Sequence, residues 1–165
     1  MAKRWVIPDI HGHSRTLKAL IEEQIKPSRH DLIFFLGDYI DRGPDSRGVV
    51  DYVLELQQKY PREHVICLKG NHEAMFLDFL QGREKALFLF NGGRATLHDY
   101  WEDGWMDTED LALPPDHRQF YQDLQLYHET ADYIFVHGGL KPGVMLADQQ
   151  EDDLLWIRGE FIASQ

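Results

Sequence analysis

Short apolar runs that end in polar, glycine-containing clusters recur three times in the first half of the chain. They are "RWVI" before Asp9, "DLIFFL" before Gly37 and "HVICL" before Lys69. Runs this short and rich in β-branched and aromatic residues predict strands. After the first comes "SRTLKALIEEQI", where Ser14 is placed to cap a helix and Leu17, Leu20, Ile21 and Ile25 fall on one face. After the second comes "DSRGVVDYVLELQQKY", stopped by Pro61, with Val49, Val50, Val53, Leu54 and Leu56 as its apolar side. Strand, helix, strand, helix, strand implies parallel pairing with helices laid against the sheet.

Beyond His72 the pattern turns helical, through "EAMFLDFLQG" and "REKALFLFNGGRATLHDYW". The segment "GWMDTEDLALPPDHRQ" mixes turn and helix signals, and Pro115 is suited to open a helix over "DHRQFYQDLQ". Strand character returns in "LQLYHET" and "DYIFVHGGL". With no repeat, low-complexity stretch or linker, the expectation is one α/β layered domain over residues 1–165 with a helical insertion in its middle third.

Composition narrows the function. An apolar fraction of 43% in 165 residues supports a sizeable core. No window reaches the roughly 18 apolar residues of a membrane span, and "MAKRWVIPDIHG" has no secretory pattern, so the expected location is cytoplasmic, without a membrane partner. Cys67 is the only cysteine and lies in an apolar run, which excludes a disulfide framework or thiolate zinc site within one chain. The net charge is −11 and the seventeen Lys and Arg form no basic run, so no nucleic-acid partner is expected.

Ligands of parallel α/β sheets bind at the carboxyl ends of strands, where loops and helix N-termini converge. Those ends hold "PDIHG" (Asp9, His11), "GDYIDRG" (Asp38, Asp41, Arg42), "GNHE" (Asn71, His72, Glu73) and "VHGG" (His137). Carboxylate, imidazole and amide oxygen without thiolate suit Mn²⁺ foremost, with Fe or Zn²⁺ as alternatives. Two such ions about 3.5–4 Å apart need one carboxylate with an oxygen for each, and a shared water or hydroxide for direct attack on phosphorus. Asp38 is the expected bridge, with Asp9 and His11 on one ion and Asn71 and His137 on the other. The neutral amide of Asn71 leaves the centre net positive, which attracts phosphate. His72 is the expected acid for a leaving oxygen, with Asp41 on its second nitrogen. Arg42 and Arg158 offer planar forks to phosphate, which Asn71 also faces.

On these residues the sequence resembles the phosphoprotein phosphatase family of calcineurin-like metallophosphoesterases, above all its compact bacterial and phage serine/threonine phosphatases. "PDIHG" stands for the family's G-D-x-H-G, with Pro8 at the leading glycine. "GDYIDRG" matches G-D-x-V-D-R-G, "GNHE" is unchanged, and "HGGL" matches H-[AG]-G-[LIV]. "NGGRATL" and "DDLLWIRGEF" are similar to segments of the bacterial branch. The resemblance implies a four-layer sandwich of sheets flanked by helices and hydrolysis of phosphoserine or phosphothreonine in proteins. It also implies the roles given above for Asp9, His11, Asp38, Asn71, His137, Arg42, Arg158, His72 and Asp41. In that family a further strand and a G-H-T-P-like loop follow, whose histidine completes the second metal site. The expectation is therefore a chain lacking its last strands, weaker in its second metal, with an unpaired sheet edge that favours self-association.

Each motif alone has a plainer reading as a capped or polar turn, and their occurrence at four strand ends favours the metal. His30, His64, His98, His117 and His128 are expected to be solvated or hydrogen-bonded, and Trp101, Trp105 and Trp156 to be core or groove-wall residues. The run "DQQEDD" reads as a solvated loop. Hydrolysis of dinucleoside polyphosphates, or phosphate binding without turnover, are the competing functions.

Overall fold

The computed structural model describes residues 2–102 and 111–164. Trp105 and most of the mixed segment before Pro114 lie outside the described residues. The three early runs form β1 (Arg4–Ile7), β2 (Leu32–Phe35) and β3 (Val65–Cys67), all parallel and in the order β1-β2-β3. Val6 pairs with Phe34, which pairs with Ile66, so alternate residues of all three strands share a face.

One face, with Ile7, Ile33, Phe35, Val65 and Cys67, joins the main core under the helices. The opposite face, with Phe34, Ile66 and Leu68, forms a smaller second core. Against it packs an antiparallel hairpin of β4 (Tyr127–Glu129) and β5 (Ile134–Val136). Phe135 of that hairpin stacks on Phe34 with ring centres 4.0 Å apart. Helices, parallel sheet and hairpin therefore lie in layers; β2 and β3 are covered on both sides, whereas Val6 of the edge strand β1 stays exposed. Burial pushes the Cys67 thiol up to about 12, which keeps it a small apolar residue rather than a ligand.

The first helix departs from its sequence pattern. α1 (Ser14–Ala19) runs into a π-helical stretch, Leu20–Ile25, that ends on Lys26 in the left-handed region. Ser14 is the first helical residue rather than the cap, because its hydroxyl is taken by Asp45 across the loop. The wider turn rotates Leu20 out to 36% exposure, while Leu17 and Ile21 stay buried. α2 (Ser46–Lys59) is capped by Asp45, which accepts from Gly48 N–H at 3.0 Å, and buries Val49, Val50, Val53 and Leu56.

The insertion folds as α3 (Asn71–Leu80), α4 (Lys85–Phe90) and α5 (Arg94–Trp101), followed by α6 (Pro115–Asp123) with its proline in the first turn. Phe76, Phe79, Phe88, Tyr121 and part of Trp101 fill the space between them. His117 is buried here, bonded to Asp51 at 2.8 Å and Tyr100 at 2.6 Å, so it is a satisfied core histidine. α7 (Glu151–Trp156) and α8 (Gly159–Ala163) follow the hairpin. No helix among the described residues is long and apolar enough to cross a membrane.

Candidate metal centre

Four loops at the carboxyl ends of β1, β2, β3 and β5 converge because the backbone binds itself there. Ile10 and His11 N–H groups both donate to Asp38 O at 2.9 Å, and Gly12 N–H donates to Tyr39 O at 2.8 Å, which straps the first loop to the second. Gly37, at φ +104°, lies so close to the Lys69–Gly70 backbone that any side chain would collide with it. His11, Asp38, Asp41 and Arg42 all have positive φ, between 46° and 70°. Backbone strain at four candidate residues needs a surrounding structure that enforces it.

Glu73 supplies much of that enforcement, and no role was expected for it. Its carboxylate is fully buried and accepts Asp38 N–H at 2.8 Å, Gly70 N–H at 2.9 Å and Tyr39 N–H at 2.9 Å. Burial first, and then the Asp38 charge, raise its pKa, against those backbone donors. An acidic residue three positions after the Gly70 cap was the available signal, since such a side chain reaches back to the cap N–H. Glu73→Gln turns one acceptor into a donor facing backbone N–H groups. It is expected to destabilise the fold by roughly 1–3 kcal/mol. Denaturant unfolding checks this, and an unchanged midpoint would exclude the role.

The three imidazoles share one arrangement. Each Nδ1 faces a local acceptor: His11 the Ile40 O at 2.9 Å, His72 the Asp41 Oδ2 at 2.6 Å, and His137 the Leu36 O at 2.9 Å. Each therefore turns its Nε2 lone pair toward Asp38. Nε2 of His11 is 3.6 Å from Asp38 Oδ2, and Nε2 of His137 is 3.6 Å from Oδ1. His137 Nε2 also lies 2.9 Å from Asn71 Oδ1, two lone pairs that a cation between them would reconcile. Arg42 donates through Nη1 to His11 Nε2 and through Nη2 to His72 Nε2, both at 2.8 Å.

The nitrogen and oxygen donors thus fit hard or borderline divalent ions. Ligand atoms of His11, Asp38 and His72 lie within 4.8 Å of one another, as do those of Asp9, Asp38 and His137. Asp38 is common to both groups. Asp9 groups with Asp38 and His137, and His11 groups with Asp38 and His72. Arg158 lies beside Gly138, next in the chain to His137, and its guanidinium donates to Ile157 O at 2.8 Å and Leu155 O at 3.4 Å. His13 is exposed at the cap of α1.

Asp41 is held from behind by Thr96 and Ser46, which sequence reasoning left without a role. Burial raises the Asp41 pKa, and the bonds from His72 and Thr96 oppose that rise. Along α3, Trp156 walls a cavity of about 830 Å³ with Lys69, Ala74, Leu77, Asp78 and Gln81.

A parallel sheet with carboxylate, imidazole and amide donors gathered at its strand ends defines a metallophosphoesterase domain. The chain belongs to the calcineurin-like phosphoesterase family, whose sequence profile matches residues 2–162. It is 40% identical over 90 residues to serine/threonine-protein phosphatase 1 of Salmonella typhimurium, covering 54% of this chain and 38% of that protein. It is 28% identical to serine/threonine-protein phosphatase 2 of Escherichia coli, over 92% of this chain and 66% of that protein. A Saccharomyces cerevisiae protein serine/threonine phosphatase with similarity to human phosphatase PP5 superposes with a TM-score of 0.64 at 20% identity, over 94% of this chain and 52% of its own. A protein provisionally described as a diadenosine tetraphosphatase superposes with a TM-score of 0.61 at 22% identity, over 93% and 62%. The two structures establish the shared fold.

Proposed function

We propose that the chain hydrolyses phosphomonoesters, with phosphoserine or phosphothreonine in proteins as its substrate. The observation that carries this is Arg42, whose two terminal nitrogens span His11 and His72 above Asp38. A guanidinium held there is placed to bind two phosphate oxygens at once.

Asp9, His11, Asp38, Asn71 and His137 would hold two divalent ions, Mn²⁺ foremost. Bound, those ions would polarise the phosphoryl oxygens and make a water nucleophilic. On phosphate binding, Arg42 transfers its donors from the imidazoles to the phosphate. That frees His72 Nε2 to take up a proton from solvent and give it to the leaving oxygen, while Asp41 keeps Nδ1 protonated. Arg158, beside Gly138, is the second candidate for the phosphate.

Two features favour a peptide over a small ester. Two relatives carry the name serine/threonine-protein phosphatase. The 830 Å³ cavity follows the Ala74, Leu77, Asp78 and Gln81 side of α3, the helix whose first turn holds Asn71 and His72. Four acidic residues, Asp78, Glu84, Glu151 and Asp152, line it against two basic ones, Lys69 and Arg83, which pair with Glu151 and Asp78, so its charge balance is net acidic and disfavours a polyphosphate.

Hydrolysis of p-nitrophenyl phosphate with added Mn²⁺ tests the reaction, and a phosphopeptide against diadenosine tetraphosphate tests the substrate. Mn²⁺-dependent turnover with preference for the phosphopeptide is expected. A flat trace with metal bound would identify a phosphate-binding protein instead, and preference for the dinucleotide would overturn the substrate assignment.

A further inference from the structure

Beneath His72 the candidate site continues one layer deeper. The two oxygens of buried Asp41 have different partners: Oδ2 accepts from His72 Nδ1 at 2.6 Å, and Oδ1 accepts the Thr96 hydroxyl at 2.6 Å. Thr96 lies on α5 and is fully buried. Its single hydroxyl proton goes to the carboxylate, so its 3.0 Å contact with Ser46 Oγ makes Ser46 the donor there. Asp41 N–H is shared between Thr96 Oγ1 at 2.9 Å and Ser46 Oγ at 3.0 Å. Ser46 N–H donates in turn to Asp99 Oδ2 at 2.5 Å.

We propose that Thr96, with Ser46 behind it, is a positioning residue for the His72–Asp41 pair. The inference rests on the acid role given to His72 above. Asp41 has φ +70°, and the bonds from its N–H to the two hydroxyls hold it in that strained conformation. The Thr96 hydroxyl on Oδ1 also fixes the plane of the carboxylate. A carboxylate free to turn would release Nδ1–H, and the imidazole would no longer present the nitrogen that delivers the proton.

Thr96→Val removes the hydroxyl and keeps the shape, whereas Thr96→Ser keeps the hydroxyl. Each is compared with the parent on an alkyl phosphate, which needs its leaving oxygen protonated, and on p-nitrophenyl phosphate, which does not. Thr96→Val is expected to lower kcat on the alkyl ester roughly 10- to 100-fold, as loss of an orienting partner does elsewhere. KM should hold, the aryl ester should lose far less, and Thr96→Ser should stay near the parent on both.

A second readout needs no turnover. The short His72 Nδ1–H bond gives a far-downfield proton signal in ¹⁵N-histidine-labelled protein, and Thr96→Val should move or broaden it. Should Thr96→Val not fold, Ser46→Ala is expected to give the same asymmetry between esters with a smaller loss. Equal losses on both esters, or an unmoved ring signal, would overturn the proposal. His72→Asn serves as control: if it also loses equally on both esters, the acid role fails, and the ring signal still decides whether Thr96 orients His72.

Discussion

Asp38→Asn is expected to abolish most turnover and most metal binding together. Its carboxylate is the one group common to both candidate metal clusters. One oxygen faces His11 at 3.6 Å, and the other faces His137 at 3.6 Å. An amide would present one oxygen and one N–H₂, so one side of the centre would lose an anionic ligand and gain a donor aimed at an imidazole lone pair. Oδ1 also accepts His72 N–H at 3.1 Å, so the substitution also disturbs the first turn of α3. Elemental analysis after dialysis, beside the rate and the far-ultraviolet circular dichroism spectrum, is the measurement. Two tightly held metals with a near-normal rate in this variant would exclude the bridging role.

How much of this was legible in the sequence follows from the range of the interactions involved. The βαβαβ order was readable because each strand and helix announces itself within about ten residues, through apolar period and capping. The convergence of the candidate residues was readable too, since parallel topology brings strand ends together whatever the loops contain. Ser14 and Leu20 were misplaced because the hydroxyl found Asp45, thirty-one positions away, and a π-helical stretch changed the rotation per residue. Thr96 was invisible for the same reason: its partner Asp41 is fifty-five positions distant, and nothing in "NGGRATL" marks a hydroxyl as buried.

Strain and enforcement occur together at this site. The positive-φ residues Asp38 and Asp41 each direct a backbone N–H to a buried side chain, Glu73 for the first and Thr96 with Ser46 for the second. Neither Glu73, Thr96 nor Ser46 is placed to meet a substrate, yet without them the two aspartates would relax toward ordinary backbone geometry. A sequence search for ligands alone overlooks such residues, since their chemistry is directed inward.

His72→Asn is expected to lower kcat by roughly 10²- to 10⁴-fold on an ester with a poor leaving group. The ring is fully buried, Asp41 holds its Nδ1 at 2.6 Å, and Nε2 faces the space between Arg42 and Asp38. A proton carried there faces the candidate centre, 4.0 Å from Asp38 Oδ2. Asparagine keeps the backbone N–H that Asp38 accepts, so the turn after Gly70 is preserved, but its amide cannot deliver a proton near neutral pH. His72 Nε2 also lies with His11 and Asp38 in one candidate metal cluster, so metal content separates the two possible roles. As an acid, His72 can be lost with both metals retained and with a much smaller effect on p-nitrophenyl phosphate, whose leaving group departs without protonation. As a ligand, its loss would lower metal content and slow both substrates alike. Measuring metal stoichiometry and both rates on the same preparation decides the point, and equal losses accompanied by missing metal would remove His72 from the acid role.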